Sequence, residues 1–134
     1  MLNIFKKLHD KKGKAFIDIV AMVLATTMIL VFGITVGGTI YRKTQLDSAA
    51  NEIKRMVEID GKYESEEEQK AENIMQKSNI NGTISCSASG EIPQDSEFTI
   101  TLSENSYIGV GNIGEITIPL TGTSVGHGEV YWKE

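Results

Sequence analysis

The chain has 134 residues, with 13 basic and 18 acidic side chains, a net charge of −5, two histidines and one cysteine. Residues 1–43 carry seven basic residues against Asp10 and Asp18, a net +5, while residues 44–134 carry six basic against sixteen acidic, a net −10. So acidic a part is unsuited to nucleic acid, whose binding rests on Lys and Arg at phosphates, and one cysteine excludes an internal disulfide.

In chain order, Lys6, Lys7, Lys11 and Lys12 lead to Gly13 and Lys14, and Asp18 follows within an apolar sequence. From Ile19 to Tyr41 there are 23 residues without a charge. As a helix this stretch covers about 34 Å, enough to cross a ~30 Å hydrocarbon core. It is longer than the apolar run of a secretory signal and has no Ala-x-Ala-type site at its end, although Gly37-Gly38 offers small residues, so a retained anchor is expected. Five basic residues precede the run and only Arg42 and Lys43 follow it closely, which places the N-terminus in the cytoplasm and the acidic part outside. The expected organisation is a basic leader at 1–13, a transmembrane helix at 14–43, an extracytoplasmic helical segment at 44–78 and a β-rich head at 79–134.

Beyond the span, Leu46, Ala49, Ala50, Ile53, Met56, Val57 and Ile59 recur at three- and four-residue spacing, the mark of an amphipathic helix. One helix is therefore expected from about residue 15 to 60, with Gly61 as its terminator. A second, charged helix is expected from Glu64 to Lys77, packing through Ala71, Ile74 and Met75. Its Glu66-Glu67-Glu68 run lacks the alternating ligands and glycine of a calcium loop and suits a solvated first turn.

After Asn79 the composition shifts to Gly, Ser, Thr and β-branched residues. Strands are expected at Thr83–Ala88, Glu97–Ser103, Glu115–Leu120 and Glu129–Lys133, with turns at Asn81-Gly82, Ile92 to Asp95, Gly109 to Gly114 and Gly126 to Gly128. Helices followed by strands give an α+β fold in which a small antiparallel sheet packs on the helical stripe.

Gly13 and Asp18 form the most informative constellation. An acid beside hydrocarbon costs roughly 2.5–3.5 kcal/mol at bilayer mid-depth and less near the edge. In one reading Gly13 is a linker and Asp18 pairs with Lys14 one helical turn away. In the other, the basic leader, glycine, acid and long apolar helix together form a processing and assembly site. Ala21, Ala25, Gly33 and Gly37, spaced by multiples of four, suit close helix packing, although Gly and Ala are also ordinary in membrane helices.

Other patterns are weaker. Gly109-x-Gly-x-x-Gly114 matches a dinucleotide fingerprint only if a helix follows, and the next residues read as strand. Ile118-Pro119-Leu120-Thr121-Gly122 lacks the downstream apolar segment of a sorting signal, and Asn81-Gly82-Thr83 makes an ordinary turn as well as a sequon. Cys86 and His127 are the sole conceivable nucleophile and base of the outer part. Cys86 is expected to face inward with Ile84, and Tyr131 and Trp132 to pack at the core edge. No enzyme activity, cofactor or metal is expected.

The segment Gly13-Lys14-Ala15-Phe16-Ile17-Asp18-Ile19-Val20 resembles the N-terminus of type IV pilin-like proteins. It is most similar to TadE-like pseudopilins and to an uncharacterised family of small single-pass membrane proteins of Gram-positive conjugative elements. The similarity extends through Gln45-Leu46-Asp47 to Gly128-Glu129-Val130-Tyr131-Trp132. The resemblance implies cleavage by prepilin peptidase after Gly13, so that Lys14 becomes the new N-terminus, and it makes Asp18 the acid that governs subunit assembly. It further implies self or other pilin-like subunits and assembly platform proteins as partners, in a filament or a conjugative transfer or secretion apparatus. The chain departs from the pattern in having Asp rather than Glu at position 18 and Lys at the new terminus. The alternative is an uncleaved, signal-anchored surface protein whose acidic head binds another envelope component.

Overall fold

The computed structural model describes residues 2–110 and 113–130, with side chains at 13–107 and 116–130. The fold is α+β, with elements α1 (Leu2–Asp60), β1 (Lys62–Tyr63), α2 (Ser65–Lys77), β2 (Thr83–Cys86), β3 (Gly90–Glu91), β4 (Glu97–Val110) and β5 (Ile113–His127). It falls into two compact units, Met1–Gly37 and Gly38–Glu134.

The first unit is helical throughout its described residues, so α1 begins at Leu2 and not near residue 15. The leader has no proline, and a single glycine inside a helix costs only about 0.5–1 kcal/mol, too little to interrupt it. Every residue from Gly13 to Leu30 is exposed. Three threonines of the apolar run turn back on their own helix: Thr26, Thr27 and Thr35 donate to the carbonyls of Met22, Val23 and Val31 at 2.8, 2.7 and 2.9 Å. That closure suits an apolar medium, where an unmet donor is expensive.

In the second unit, α1 buries Leu46, Ala49, Ala50, Ile53 and Val57, and Met56 packs at their margin. Ile59, expected in the same stripe, is 71% exposed. At ~100° per residue it lies about 200° around the helix from Val57, on the far side. Gly61 ends α1 at φ +65, a conformation that favours glycine, and its N–H donates to Val57 O at 2.8 Å. Helix α2 follows its expected span and buries Ala71 and Met75, with Ile74 half-buried.

A three-stranded antiparallel sheet has the order β2-β4-β5, and β1 pairs with β3 in a separate two-stranded sheet. On the inner face of β4, Phe98, Ile100 and Leu102 are buried against α1. Their partners in register on β5 are Gly126, Ser124 and Gly122. The helix therefore meets β5 where the strand has almost no side chains. A Cβ at Gly122 would stand 2.6 Å from the Leu46 carbonyl carbon, and one at Gly126 would stand 2.6 Å from Phe98 Cζ.

This contact corrects two expectations. Gly126 is not in a turn but within β5, which runs to His127; Gly128 follows in a closely bonded loop, its N–H donating to Ser96 O at 2.9 Å. No strand begins at Glu129: Glu129 and Val130 lie outside any strand, and residues 131–133, including Tyr131 and Trp132, lie outside the described residues. Strands β4 and β5 also run well past the expected Ser103 and Leu120, because the antiparallel ladder continues where the apolar alternation lapses at Glu104 and Ser106. Between them Gly109, Val110, Ile113 and Gly114 are strand rather than loop, and residues 111 and 112 lie outside the described residues.

Candidate functional site

The helical first unit presents Gly13, Lys14 and Asp18 on one exposed stretch of α1. The Asp18 carboxylate has no ion pair or hydrogen-bond partner among the described residues, and Lys14, one turn earlier, forms no ion pair with it. A Cβ at Gly13, Gly33, Gly37 or Gly38 would meet nothing within 4 Å. Packing inside the chain thus accounts for Gly122 and Gly126 of β5 and for none of these four.

Ala21, Ala25, Gly33 and Gly37 do not share one straight face, as their spacing had suggested. Four residues advance a helix by ~400°, so the row drifts by about 160° between positions 21 and 37. The small residues form two pairs, Ala21 with Ala25 and Gly33 with Gly37, each on a ridge inclined to the axis. An inclined ridge of this kind suits a crossing partner helix.

Cys86 and His127 are not brought together. Cys86 is in register with Ile100, which is in register with Ser124, all on the inner face. His127 is opposite Glu97, of the other parity, and is exposed. Cys86 does face inward with Ile84, but both are half-buried rather than enclosed. Burial pushes the Cys86 thiol above its usual range, which lowers its reactivity.

The acidic start of α2 also differs from a solvated turn. Glu66 and Glu68 are exposed, but Glu67 is 1% exposed. Its carboxylate accepts from the Glu64 N–H at 3.2 Å and closes a capping box with that residue. Lys70 Nζ lies 3.2 Å from Asp60, 3.2 Å from Glu66 and 3.7 Å from Glu67, and Lys62 Nζ lies 3.2 Å from Glu64 and 3.9 Å from Glu67. Both ammonium groups titrate above their usual value, Lys62 through its hydrogen bond to Glu64 and Lys70 through those to Glu66 and Asp60. Tyr63 beside them is pushed up to about 12, first by burial and then by the charge of Glu68. The cluster ties the end of α1 to the start of α2. Its sequence signal was Glu64-x-x-Glu67, a capping-box spacing hidden within an acidic run. Among the described residues no group of three or more His, Cys, Asp or Glu side chains is placed to hold a metal.

Helix α1 is long and apolar enough to cross a membrane, and the apolar part is wholly unburied, so the chain suits single-pass anchoring. No curated protein and no solved structure matches the chain. Residues 23–133 match the family model described as a domain of unknown function, DUF4320, and the chain belongs to that family.

Proposed function

We propose that this protein is a structural, pilin-like subunit of an envelope filament or transfer apparatus, anchored by α1 with its N-terminus in the cytoplasm and its acidic head outside. Prepilin peptidase cuts after Gly13, and the new α-amino group of Lys14 is the counter-charge for Asp18 of a neighbouring subunit. The observation that carries this reading is Asp18: a carboxylate on an exposed apolar helix with no partner among the described residues of its own chain. Bringing a cation to it removes an uncompensated charge from a low-dielectric place, which favours adding a subunit in register. The open glycines support the same reading, since Gly33 and Gly37 would let a second helix approach closely.

The test is incorporation of Asp18 variants into the envelope complex, followed by crosslinking and native electrophoresis. Asp18→Ala is expected to stay in the membrane yet leave the complex, and Asp18→Glu to remain in it. Full incorporation of Asp18→Ala would contradict the assembly role and favour the solitary surface anchor.

A further inference from the structure

The two outer edges of the three-stranded sheet differ in their cover. On β5, Thr121 and His127 turn their backbone groups away from β4, and side chains of α1 meet them. Lys43 Nζ donates to Thr121 O at 2.6 Å, and Glu58 Oε1 accepts from the His127 N–H at 3.2 Å. On β2 the Ser87 N–H donates to Thr99 O at 3.0 Å, which fixes the alternation of that strand. Thr83, Ser85 and Ser87 direct their backbone groups toward β4, whereas Ile84 and Cys86 direct theirs outward. Neither the N–H nor the carbonyl of Ile84 or Cys86 has a partner among the described residues. This edge is open for strand pairing.

Helix α2 borders the same edge. A groove of about 510 Å³ lies between them, with Glu68, Glu72, Met75 and Gln76 on the helix side and Thr83 and Ile84 on the strand side. Glu68, Glu72 and Gln76 recur every four residues and line α2 for about 12 Å, the length of roughly four residues of strand. A second hollow shares Glu68 and opens toward Tyr63, Ser89 and Gly90, so the depression continues past the end of β2. Glu64, Glu66 and Glu67 are each held by Lys62 or Lys70, but Glu68 and Glu72 are exposed and form no ion pair among the described residues. The groove therefore joins unmet backbone groups on one wall to unmet negative charge on the other.

We propose that the open edge of β2 binds an extended, lysine- or arginine-bearing segment of another protein, which adds as a fourth strand beside Glu68 and Glu72. Main-chain bonds to Ile84 and Cys86 hold such a segment, and the alternation of its side chains supplies specificity. Residues opposite Ile84 and Cys86 share the inner face with them, the side on which Ala71 and Met75 of α2 pack. A lysine there can lay its stem along Ile84 while its ammonium reaches the carboxylates. Charge opposes a second copy in this place. Pairing β2 with β2 of another molecule would set two acidic α2 flanks on one face, between parts that each carry a net −10.

The test uses the full chain in nonionic detergent and a fluorescent octapeptide of alternating lysine and threonine, with binding read by anisotropy. Two further peptides are N-methylated, one at every lysine and one at every threonine. The parent peptide is expected to bind and to slow hydrogen exchange at the Ile84 and Cys86 amides. Methylation at lysine, whose N–H faces β2, should weaken binding several-fold, and methylation at threonine should not. The exposed pair Glu68→Gln and Glu72→Gln, combined, should also weaken it several-fold, whereas Glu52→Gln on α1 should leave it unchanged. No binding of the parent peptide would overturn the proposal, as would undiminished binding by the Glu68/Glu72 variant. Equal affinity of the two methylated peptides would overturn it in favour of charge attraction without strand addition. Slower exchange at Ile84 and Cys86 on raising the protein concentration alone would overturn it in favour of a second copy.

Discussion

Gly122 of β5 lies so close to Leu46 of α1 that an added Cβ would come within 2.6 Å of the Leu46 carbonyl carbon and 2.7 Å of its oxygen. Both of those atoms belong to backbone, so a flexible side chain cannot absorb the clash. Gly122→Ala is expected to destabilise the head by about 1–3 kcal/mol, the range for overpacking a tight contact. Gly33→Ala, where the space is open, should leave the head unchanged. Denaturant unfolding of the detergent-solubilised chain, followed by circular dichroism, measures both; equal midpoints for the two variants would refute the packing described.

Glu67 holds the first turn of α2 through its cap and its two lysine neighbours. Glu67→Ala should cost about 1–2 kcal/mol, through a lost cap and a lost buried acceptor. Glu67→Gln keeps an acceptor for the Glu64 N–H and should cost less. Glu68→Ala, at an exposed position, is the control. Equal losses in the Gln and Ala variants would mean that the lysine pairs, not the cap, dominate.

Alkaline pH should loosen the same corner. The folded protein holds the Tyr63 proton up to about 12, against 10.0 for a free phenol, so above pH 10 the unfolded chain binds fewer protons than the folded one. Stability therefore falls as pH rises through this window. The raised values of Lys62 and Lys70 act in the same direction, above their ordinary 10.5. Thermal midpoints measured across this range should drop less steeply for Tyr63→Phe than for the parent chain. An identical slope would show that Tyr63 does not contribute.

Cys86 should be a slow thiol. Its burial disfavours the thiolate, the reactive form, so alkylation of the native chain should lag behind that of a free cysteine and speed up on unfolding. The mass shift with a maleimide over time reports this, and a native rate equal to the unfolded rate would contradict the inward placement.

Most of the helical architecture was legible because helix periodicity is carried by large apolar residues. Leu46, Ala49, Ala50, Ile53 and Val57 announced the buried stripe, and Ala71 and Met75 announced that of α2. The sheet was legible only where one face is apolar, as at Phe98, Ile100 and Leu102. Glu115–Leu120 of β5 was legible as a strand, but its continuation to His127 was missed, because Gly122, Ser124 and Gly126 alternate as small inward residues and glycines in a row resemble turns. Pro119 fits the same strand: it shares parity with Thr121 and His127, whose backbone groups point away from β4, so its missing N–H leaves no gap in the ladder. The candidate site lay open in the sequence as a charge within an apolar run, but a lone chain brings no partner to Asp18.

The proposed cleavage after Gly13 is tested most directly by the N-terminal residue of the protein in its native membrane. Mass spectrometry of the chain extracted from its native membrane, with and without prepilin peptidase, decides it. Cleavage by the peptidase gives a polypeptide beginning at Lys14 when it is present and an intact leader when it is absent. A leader still joined to Lys14 in both would contradict it.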